Sequence, residues 1–156
     1  MGADRQMIET ILQAIPQQPP FRFIDDVLSL DERGVVGTYR FREDEYFYRG
    51  HFPDRPVTPG VILIETMAQS GVGAYGLYLL MTEQGMTLEE VKGYVNLFTL
   101  VESVEFTSIV LPGERVVVRG QKIYFRRMNM KVRVQMEREN GEPVCAGVIA
   151  GMAVKM

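Results

Sequence analysis

The segment "VILIETMAQSGVGAYGLYLLM", residues 61–81, decides the fold. It is a long apolar run in which Glu65 is the single charged residue. A helix that is apolar on every side lies either in a membrane or at the centre of a protein, surrounded by other elements. Glu65, Gln69 and Ser70 place polar groups in the first half of the segment, and no cluster of Lys or Arg flanks it to set an orientation in a bilayer. We therefore predict a helix at the centre of a protein core, with no membrane span.

Strand-like segments lie on both sides of this helix in the sequence, separated by turn signals such as Pro112-Gly113 and Asn140-Gly141. The strands are predicted at 21–30, 35–42, 94–106, 114–125, 128–139 and 144–154. A first helix is predicted after an N-cap at Asp4, and a short helix after the capping box Thr87–Glu90. The pattern predicts an α+β fold with an antiparallel sheet, formed by a single domain over residues 1–156.

Composition and charge exclude several classes of function. The chain has 156 residues, 46% of them hydrophobic and 24% charged, which is typical of a globular protein. Its net charge is −3, whereas nucleic-acid-binding proteins usually carry a basic surface, so no nucleic-acid partner is expected. The single cysteine, Cys145, excludes an internal disulfide, and with the single histidine it offers too few ligands for a metal site. The first residues lack the pattern of a signal peptide, and we expect a cytoplasmic protein.

The residues before and within the helix form an extended motif, "GHFPDRPVTPGVILIETMAQ", residues 50–69. It combines a Gly-His-Phe-Pro loop, a Pro-Val-Thr-Pro-Gly-Val link and a helix that carries Glu and then Ala-Gln. This motif resembles the active-site segment of the β-hydroxyacyl-acyl-carrier-protein dehydratases of the FabZ type. Weaker similarity covers most of the chain, including "PFRFIDDVLSL" at 20–30 and "VEFTSIVLPGERVVV" at 104–118. The resemblance implies the hot-dog fold, in which an antiparallel sheet wraps around a long central apolar helix.

The resemblance also implies a reaction, the removal of water from (3R)-hydroxyacyl thioesters to give trans-2-enoyl thioesters in fatty-acid, polyene or polyketide-type synthesis. His51 would take the α-proton as a base, since a free imidazole titrates near pH ~6.5 and is largely neutral at pH 7. Glu65 would protonate the departing hydroxyl, because its apolar neighbours favour a neutral carboxyl. The free N–H groups of Gly60 and Val61 at the helix start would stabilise the enolate oxygen. The residues expected to support the site structurally are Phe52, Pro53, Pro59 and Gln69.

The family resemblance implies an assembly and partners as well. Members of the family build the site at a homodimer interface, with His from one protomer and Glu from the other, and the dimers often form a trimer of dimers. The substrate would arrive on the phosphopantetheine arm of an acyl carrier protein, with no other cofactor. Because carrier proteins are acidic, a basic docking patch is expected, and its candidates are Lys122, Arg126 and Arg127.

The sequence departs from the family pattern at several positions around the motif. The segment "IPQQPPF", residues 15–21, stands in place of a Leu-Pro-His-Arg-Tyr-Pro-Phe type segment. Thr58 and Thr66 occupy positions where apolar or small residues are common, and Tyr48-Arg49 is an unusual pair before the Gly-His-Phe-Pro loop. These changes spare the histidine and the glutamate, but they leave the acyl chain length and the pathway open.

Two other functions are compatible with a hot-dog fold. Acyl-thioester hydrolases of this fold use a carboxylate and water, and they do not need a histidine in the Gly-His-Phe-Pro loop. A non-catalytic acyl-binding module would tolerate the loss of either residue. The presence of both His51 and Glu65 therefore favours the dehydratase.

Overall fold

The computed structural model of the chain describes residues 1–156 and contains one six-stranded sheet with a long helix packed against it. The strands are β1 (Asp26–Leu30), β2 (Gly34–Arg40), β3 (Tyr94–Phe106), β4 (Arg115–Arg126), β5 (Asn129–Arg138) and β6 (Pro143–Lys155). Their order across the sheet is β1-β2-β4-β5-β6-β3, and every neighbouring pair is antiparallel. The predicted α+β arrangement of an antiparallel sheet around a central helix is confirmed.

The helices are α1 (Arg5–Ala14), α2 (Gly60–Ala68), α3 (Tyr75–Thr82) and α4 (Leu88–Val91). The side chain of Asp4 accepts a hydrogen bond from the N–H of Met7 and so caps α1. Thr87 and Glu90 form a reciprocal capping box at the start of α4. Both predicted N-terminal signals are therefore confirmed.

The central helix runs continuously from Gly60 to Thr82, but it is not one regular α-helix. A π-helical segment, Gln69–Ala74, joins α2 to α3, and all six of its residues are buried. A π-helical turn changes the spacing of residues that share one face of a helix. Because this helix is apolar on every face, its sequence has no apolar stripe in which such a change could be detected. None of the helices combines the length and the apolar character needed to cross a membrane.

Glycines allow the central helix to lie close against the sheet. A Cβ atom on Gly71 would lie 2.7 Å from Cγ1 of Val134 on β5, closer than van der Waals contact permits. Gly120 on β4 faces the Cα atom of Gly71, and a Cβ there would lie 3.3 Å from that atom. At these two glycines the backbones of the helix and the sheet pack against each other with no side chain between them. Larger side chains at these positions would push the two elements apart.

We expect Gly71→Ala to lower the free energy of unfolding by about 1–3 kcal/mol, because the new methyl group would overlap a fully buried valine. Gly73→Ala is the matched control in the same π-helical segment, since its Cβ would meet only the Ala68 carbonyl oxygen at 3.8 Å. Restricting the unfolded chain should make that variant neutral or about 0.4–1 kcal/mol more stable. Urea unfolding followed by circular dichroism measures both, and equal stabilities would contradict the close packing.

The first strand is shorter than predicted, and the other strands agree with prediction to within two residues. The prediction began at Phe21, whereas β1 begins at Asp26. In the intervening segment, the N–H of Phe23 donates to Oε1 of Gln69 at 2.6 Å instead of pairing with a neighbouring strand. The chain at Phe21 and Phe23 is therefore bonded to the central helix, and only Asp25, whose N–H donates to the Thr38 carbonyl at 2.7 Å, continues the pairing with β2.

Strand β3 forms one edge of the sheet and pairs only with β6. Most of its 13 residues are exposed, although many of them are apolar. The large exposed apolar side chains on this strand are Leu97, Phe98, Leu100, Val101 and Phe106. A long apolar edge strand presents unpaired backbone groups to any second chain, so this edge is a natural template for association.

Candidate active site

The Gly-His-Phe-Pro loop lies between β2 and α2, and backbone hydrogen bonds define its shape. The N–H of His51 donates to the carbonyl of Phe47 at 3.1 Å, and the N–H of Val57 donates to the carbonyl of His51 at 2.9 Å. The peptide bond between His51 and Phe52 is cis. Both backbone groups of the histidine are thus bonded to residues at the two ends of the loop.

The imidazole of His51 is partly buried and is held in one tautomer. Its Nδ1 atom lies 2.8 Å from the carbonyl oxygen of Val57. A carbonyl oxygen only accepts hydrogen bonds, so Nδ1 carries the proton and Nε2 of the neutral ring keeps a free lone pair. The ring of Phe52 stacks on the imidazole, with the ring centroids 4.3 Å apart. This arrangement leaves Nε2 able to accept a proton.

The proline and phenylalanine residues of the motif shape the loop and the helix start. The N–H of Arg55 donates to the carbonyl of Phe52 at 3.0 Å, which closes a tight turn that contains Pro53. Pro59 is buried and is the N-cap residue of α2, and its carbonyl accepts from the N–H of Leu63 at 3.1 Å. The loop therefore enters the helix in a defined direction.

The N–H groups of Gly60 and Val61 at the helix start have no acceptor within the chain. Free N–H groups at this end of a helix, together with the helix dipole, favour a negatively charged oxygen. A Cβ atom on Gly60 would lie 3.1 Å from Cζ of Phe106, because the phenyl ring packs against this glycine. Gly60 is thus also required for the packing of Phe106, which the sequence did not indicate.

Gln69 connects Glu65 to the segment before β1. Its Nε2 group donates to Oε1 of Glu65 at 2.9 Å and to the carbonyl of Phe21 at 3.0 Å. Its Oε1 atom accepts from the N–H of Phe23 at 2.6 Å, which fixes the orientation of the amide. Because Gln69 is fully buried and all these bonds are made at once, the carboxyl of Glu65 is held in one position.

Burial raises the pKa of Glu65 above its ordinary value, and the hydrogen bond from Gln69 acts in the opposite direction. Burial is the larger effect, and no Lys or Arg forms an ion pair with this carboxyl. A carboxyl that holds its proton more tightly than usual is suited to act as a general acid near neutral pH.

Glu65 opens onto a cavity of about 210 Å³ between the central helix and β3. Ala68, Val72, Leu97 and Phe98 provide its apolar walls. His51 does not line this cavity, and no hydrogen bond joins it to Glu65. Within one chain, the structure thus places the two predicted catalytic residues in different surroundings.

Two amide side chains in this cavity were not predicted to belong to the site. The Oε1 atom of Gln17 is buried and has no hydrogen-bond partner, so it is free to accept from a ligand hydroxyl. Asn96 donates from Nδ2 to the carbonyl of Val72 at 3.3 Å. The only signal for Gln17 in the sequence was its place in the segment that departs from the family pattern.

The three candidate docking residues lie on the β4–β5 hairpin, and their side chains differ in whether their charge is already paired. The Nζ atom of Lys122 is 2.5 Å from Oε1 of Glu83, so its charge is already compensated. The guanidinium of Arg126 lies over the ring of Tyr124, 5.4 Å from its centroid. Arg127 occupies the turn, with a positive φ of 51°. The two arginines form no ion pair within the chain, and they remain the stronger candidates.

We expect Glu65→Gln to raise the melting temperature at neutral pH, with the gain vanishing near pH ~4. The pKa of Glu65 is higher in the folded protein than in the unfolded chain, so the folded state binds more protons. The contribution of Glu65 to wild-type stability therefore falls as the pH rises from the unfolded pKa of this carboxyl through its folded pKa. Glutamine has no such proton, and its oxygen still accepts from Gln69. Thermal unfolding at a series of pH values checks this, and a difference independent of pH would contradict it.

Comparison with known proteins identifies relatives over most of the chain. Residues 15–147 match the FabA-like domain. The 3-hydroxyacyl-[acyl-carrier-protein] dehydratase FabZ of Caldicellulosiruptor bescii is 33% identical over 90% of this chain and 93% of its own. The enzyme of the same name from Thermus thermophilus is 34% identical over 89% of this chain and 92% of its own.

Solved structures share the fold at low sequence identity. The dehydratase heterocomplex ApeI:P of Xenorhabdus doucetiae superposes with a TM-score of 0.75 at 13% identity, covering 93% of this chain and 91% of the other. A thioesterase mutant of Pseudomonas aeruginosa superposes with a TM-score of 0.63 at 12% identity, covering 96% and 94%. These similarities concern the fold alone, which dehydratases and thioesterases have in common. The match to the FabA-like domain and the identity to the FabZ enzymes go further, and they show that the chain belongs to the FabA-like, FabZ-type family of hot-dog proteins.

Proposed function

We propose that the protein is a (3R)-hydroxyacyl-acyl-carrier-protein dehydratase that converts its substrate to the trans-2-enoyl thioester and water. One observation carries the proposal: a carboxyl with a raised pKa, held by Gln69, occurs in the same chain as a histidine whose Nε2 is free. These are the acid and the base that an elimination of water requires. The FabZ relatives are named 3-hydroxyacyl-[acyl-carrier-protein] dehydratases, which supports the proposed reaction class.

In the proposed reaction, Nε2 of His51 takes the proton from the α-carbon of the thioester. The electrons of that C–H bond form the double bond, and the bond between the β-carbon and the hydroxyl oxygen breaks. The hydroxyl takes the proton of Glu65 and leaves as water. His51 then carries a proton that Glu65 lacks, and solvent returns it to the carboxyl before the next turnover.

Negative charge develops on the thioester oxygen while the α-proton is removed, and we assign its stabilisation to the start of α2. The free N–H groups of Gly60 and Val61 are the donors in this assignment. Fixed donors that are aimed at a developing charge are among the largest contributions to catalysis, since they need no reorganisation. The unpartnered Oε1 of Gln17 would accept a hydrogen bond from the substrate hydroxyl near Glu65.

We propose that two copies of the chain complete the site by pairing along β3. Leu97 and Phe98 support this, because they belong to the exposed edge and also line the cavity of Glu65. A second copy on this edge would cover that cavity and would supply its own His51. A twofold axis would produce two such sites in each dimer. Light scattering of the purified protein distinguishes a dimer from a trimer of dimers.

We expect Val101→Lys to produce a monomer with at least about tenfold lower turnover, because a charge on the edge strand opposes pairing. Ile123→Lys is the matched control, since both side chains are 44% exposed but Ile123 lies on β4, inside the sheet. Light scattering after size-exclusion chromatography, with turnover of the same fractions, measures both variants. A fully active dimer of Val101→Lys would contradict pairing along β3.

An acyl carrier protein is the proposed partner, and its phosphopantetheine arm is the only carrier group that the reaction needs. Arg126 and Arg127 at the β4–β5 hairpin supply positive charge for an acidic carrier.

No group of three or more His, Cys, Asp or Glu side chains is placed to hold a metal ion, and we propose no metal. We also propose a cytoplasmic location, which the single, buried and unpaired Cys145 supports.

Turnover of defined thioesters tests the function. The purified protein is incubated with 3-hydroxyacyl-carrier-protein and with 3-hydroxyacyl N-acetylcysteamine thioesters of several lengths. We expect loss of water, seen by mass spectrometry, and an absorbance increase from the conjugated enoyl thioester. Release of a free acid without dehydration would instead identify a thioesterase and overturn the proposal. Binding without either reaction would identify a non-catalytic acyl-binding module.

A further inference from the structure

Two residues that depart from the family pattern are bonded to each other in the structure. The hydroxyl groups of Tyr48 and Thr58 lie 2.7 Å apart. Both side chains are buried, with exposed fractions of 4% and 3%. No other side-chain hydrogen bond is formed by either hydroxyl, so each is the other's only partner. The two residues are ten positions apart in the sequence, and the stretch between them contains the Gly-His-Phe-Pro loop.

This hydroxyl pair lies directly beside the two residues that hold His51. Tyr48 follows Phe47, whose carbonyl accepts from the N–H of His51. Thr58 follows Val57, whose carbonyl accepts from Nδ1 of the imidazole and whose N–H donates to the His51 carbonyl. The bond therefore joins the two ends of the loop. A shift of either end would move the Phe47 or the Val57 carbonyl, which are the acceptors that hold His51.

Both members of the pair are anchored outside the loop. The N–H of Thr58 donates to the carbonyl of Val110 at 2.9 Å, which ties it to the segment before β4. The ring of Tyr48 packs edge-on against Phe47, with centroids 4.8 Å apart, and Phe47 packs in turn against Phe23 of the core. The hydroxyl pair thus fixes the loop relative to the core of the protein.

We propose that Tyr48 and Thr58 are positioning residues for His51, acting as one unit through their hydrogen bond. The proposal rests on the proposed function, in which His51 is the base. Removing one hydroxyl leaves the other buried without a partner, and the loop must shift to satisfy it. Such a shift would move the Val57 carbonyl, and with it the orientation of Nε2 towards the substrate. Misplacement of a catalytic group by a fraction of an ångström lowers kcat more than it changes substrate binding.

Tyr48→Phe, Thr58→Val and the double variant test this proposal. Each single change is expected to lower kcat about tenfold with KM within about twofold of wild type. The double variant is expected to lose no more than either single one, because both changes remove the same bond. Thr58→Ser keeps the hydroxyl and is expected to restore wild-type kcat. Tyr48→Phe removes a single atom and keeps the packed ring, so at least this variant is expected to fold.

Tyr75→Phe is the matched control, because its buried hydroxyl donates to the Glu32 carbonyl at 3.0 Å, outside the candidate site. It is expected to lose stability as Tyr48→Phe does, but to keep wild-type kcat. Wild-type kcat in Tyr48→Phe and Thr58→Val, or losses that multiply to about a hundredfold in the double variant, would overturn the positioning unit. His51→Ala separates the two proposals: if it keeps wild-type turnover, the role of His51 as the base is wrong, whatever the Tyr48 and Thr58 variants show.

Discussion

We expect His51→Ala to lower dehydratase activity by about 10²–10⁴-fold, which is the range for removal of a general base. The physical reason is that no other side chain of the loop offers an imidazole nitrogen, since His51 is the only histidine in the chain. The hydrogen bond from Nδ1 to the Val57 carbonyl leaves Nε2 as the proton acceptor in the proposed reaction, and alanine removes both atoms. The measurement is kcat with a 3-hydroxyacyl thioester, followed by absorbance of the enoyl product.

Asp54→Asn is the control for His51→Ala, because Asp54 lies in the same loop, is exposed and makes no side-chain hydrogen bond. It is expected to keep wild-type activity. Circular dichroism and the melting temperature show whether the alanine variant is folded. A folded His51→Ala enzyme with more than about a tenth of wild-type kcat would be incompatible with a base at this position.

We expect co-expression of His51→Ala with Glu65→Gln to restore activity that neither variant is expected to have alone. If each site takes its histidine from one protomer and its glutamate from the other, a mixed dimer contains one intact site and one site with both changes. Random pairing makes half of the dimers mixed, so about a quarter of the wild-type sites are recovered. The gain over either pure variant is therefore expected to be at least about tenfold.

Two differently tagged chains allow the mixed dimer to be purified and its turnover compared with the pure variants. The double variant His51→Ala/Glu65→Gln, co-expressed with wild type, is the control, since its mixed dimers contain no intact site. If the mixed dimer of the two single variants is as inactive as they are, each site must draw both residues from one chain. The cavity of Glu65 argues otherwise, because its lining does not include His51.

The sequence predicted the parts of this fold that depend on local chemistry. The caps at Asp4 and Thr87 and the strands of the C-terminal third were visible because side chains alternate or bond to nearby backbone groups. The π-helical segment was not visible, since a helix that is apolar on all sides has no stripe that reveals a change of period. The shortened β1 was missed because the partner of Phe23 is the side chain of Gln69, far away in sequence.

In the candidate site, a short motif identified the candidate residues but not the contacts that surround them. His51 and Glu65 were predicted as catalytic residues because their residue types and their spacing resemble a known family. The pairing of Lys122 with Glu83 and the bond between Tyr48 and Thr58 depend on how distant segments meet. Such contacts leave no periodic signal, so the sequence alone does not relate Tyr48 to Thr58.

The π-helical segment divides the central helix into two halves, α2 and α3, whose side chains are rotated about the helix axis independently of each other. An i→i+5 turn absorbs one residue more than an α-turn, so the direction of side chains after Ala74 is not dictated by their spacing from Glu65. The half that carries the carboxyl of Glu65 faces a cavity, while α3 is buried on nearly every side. Changes in the half beside that cavity therefore need not rotate the half that fills the core.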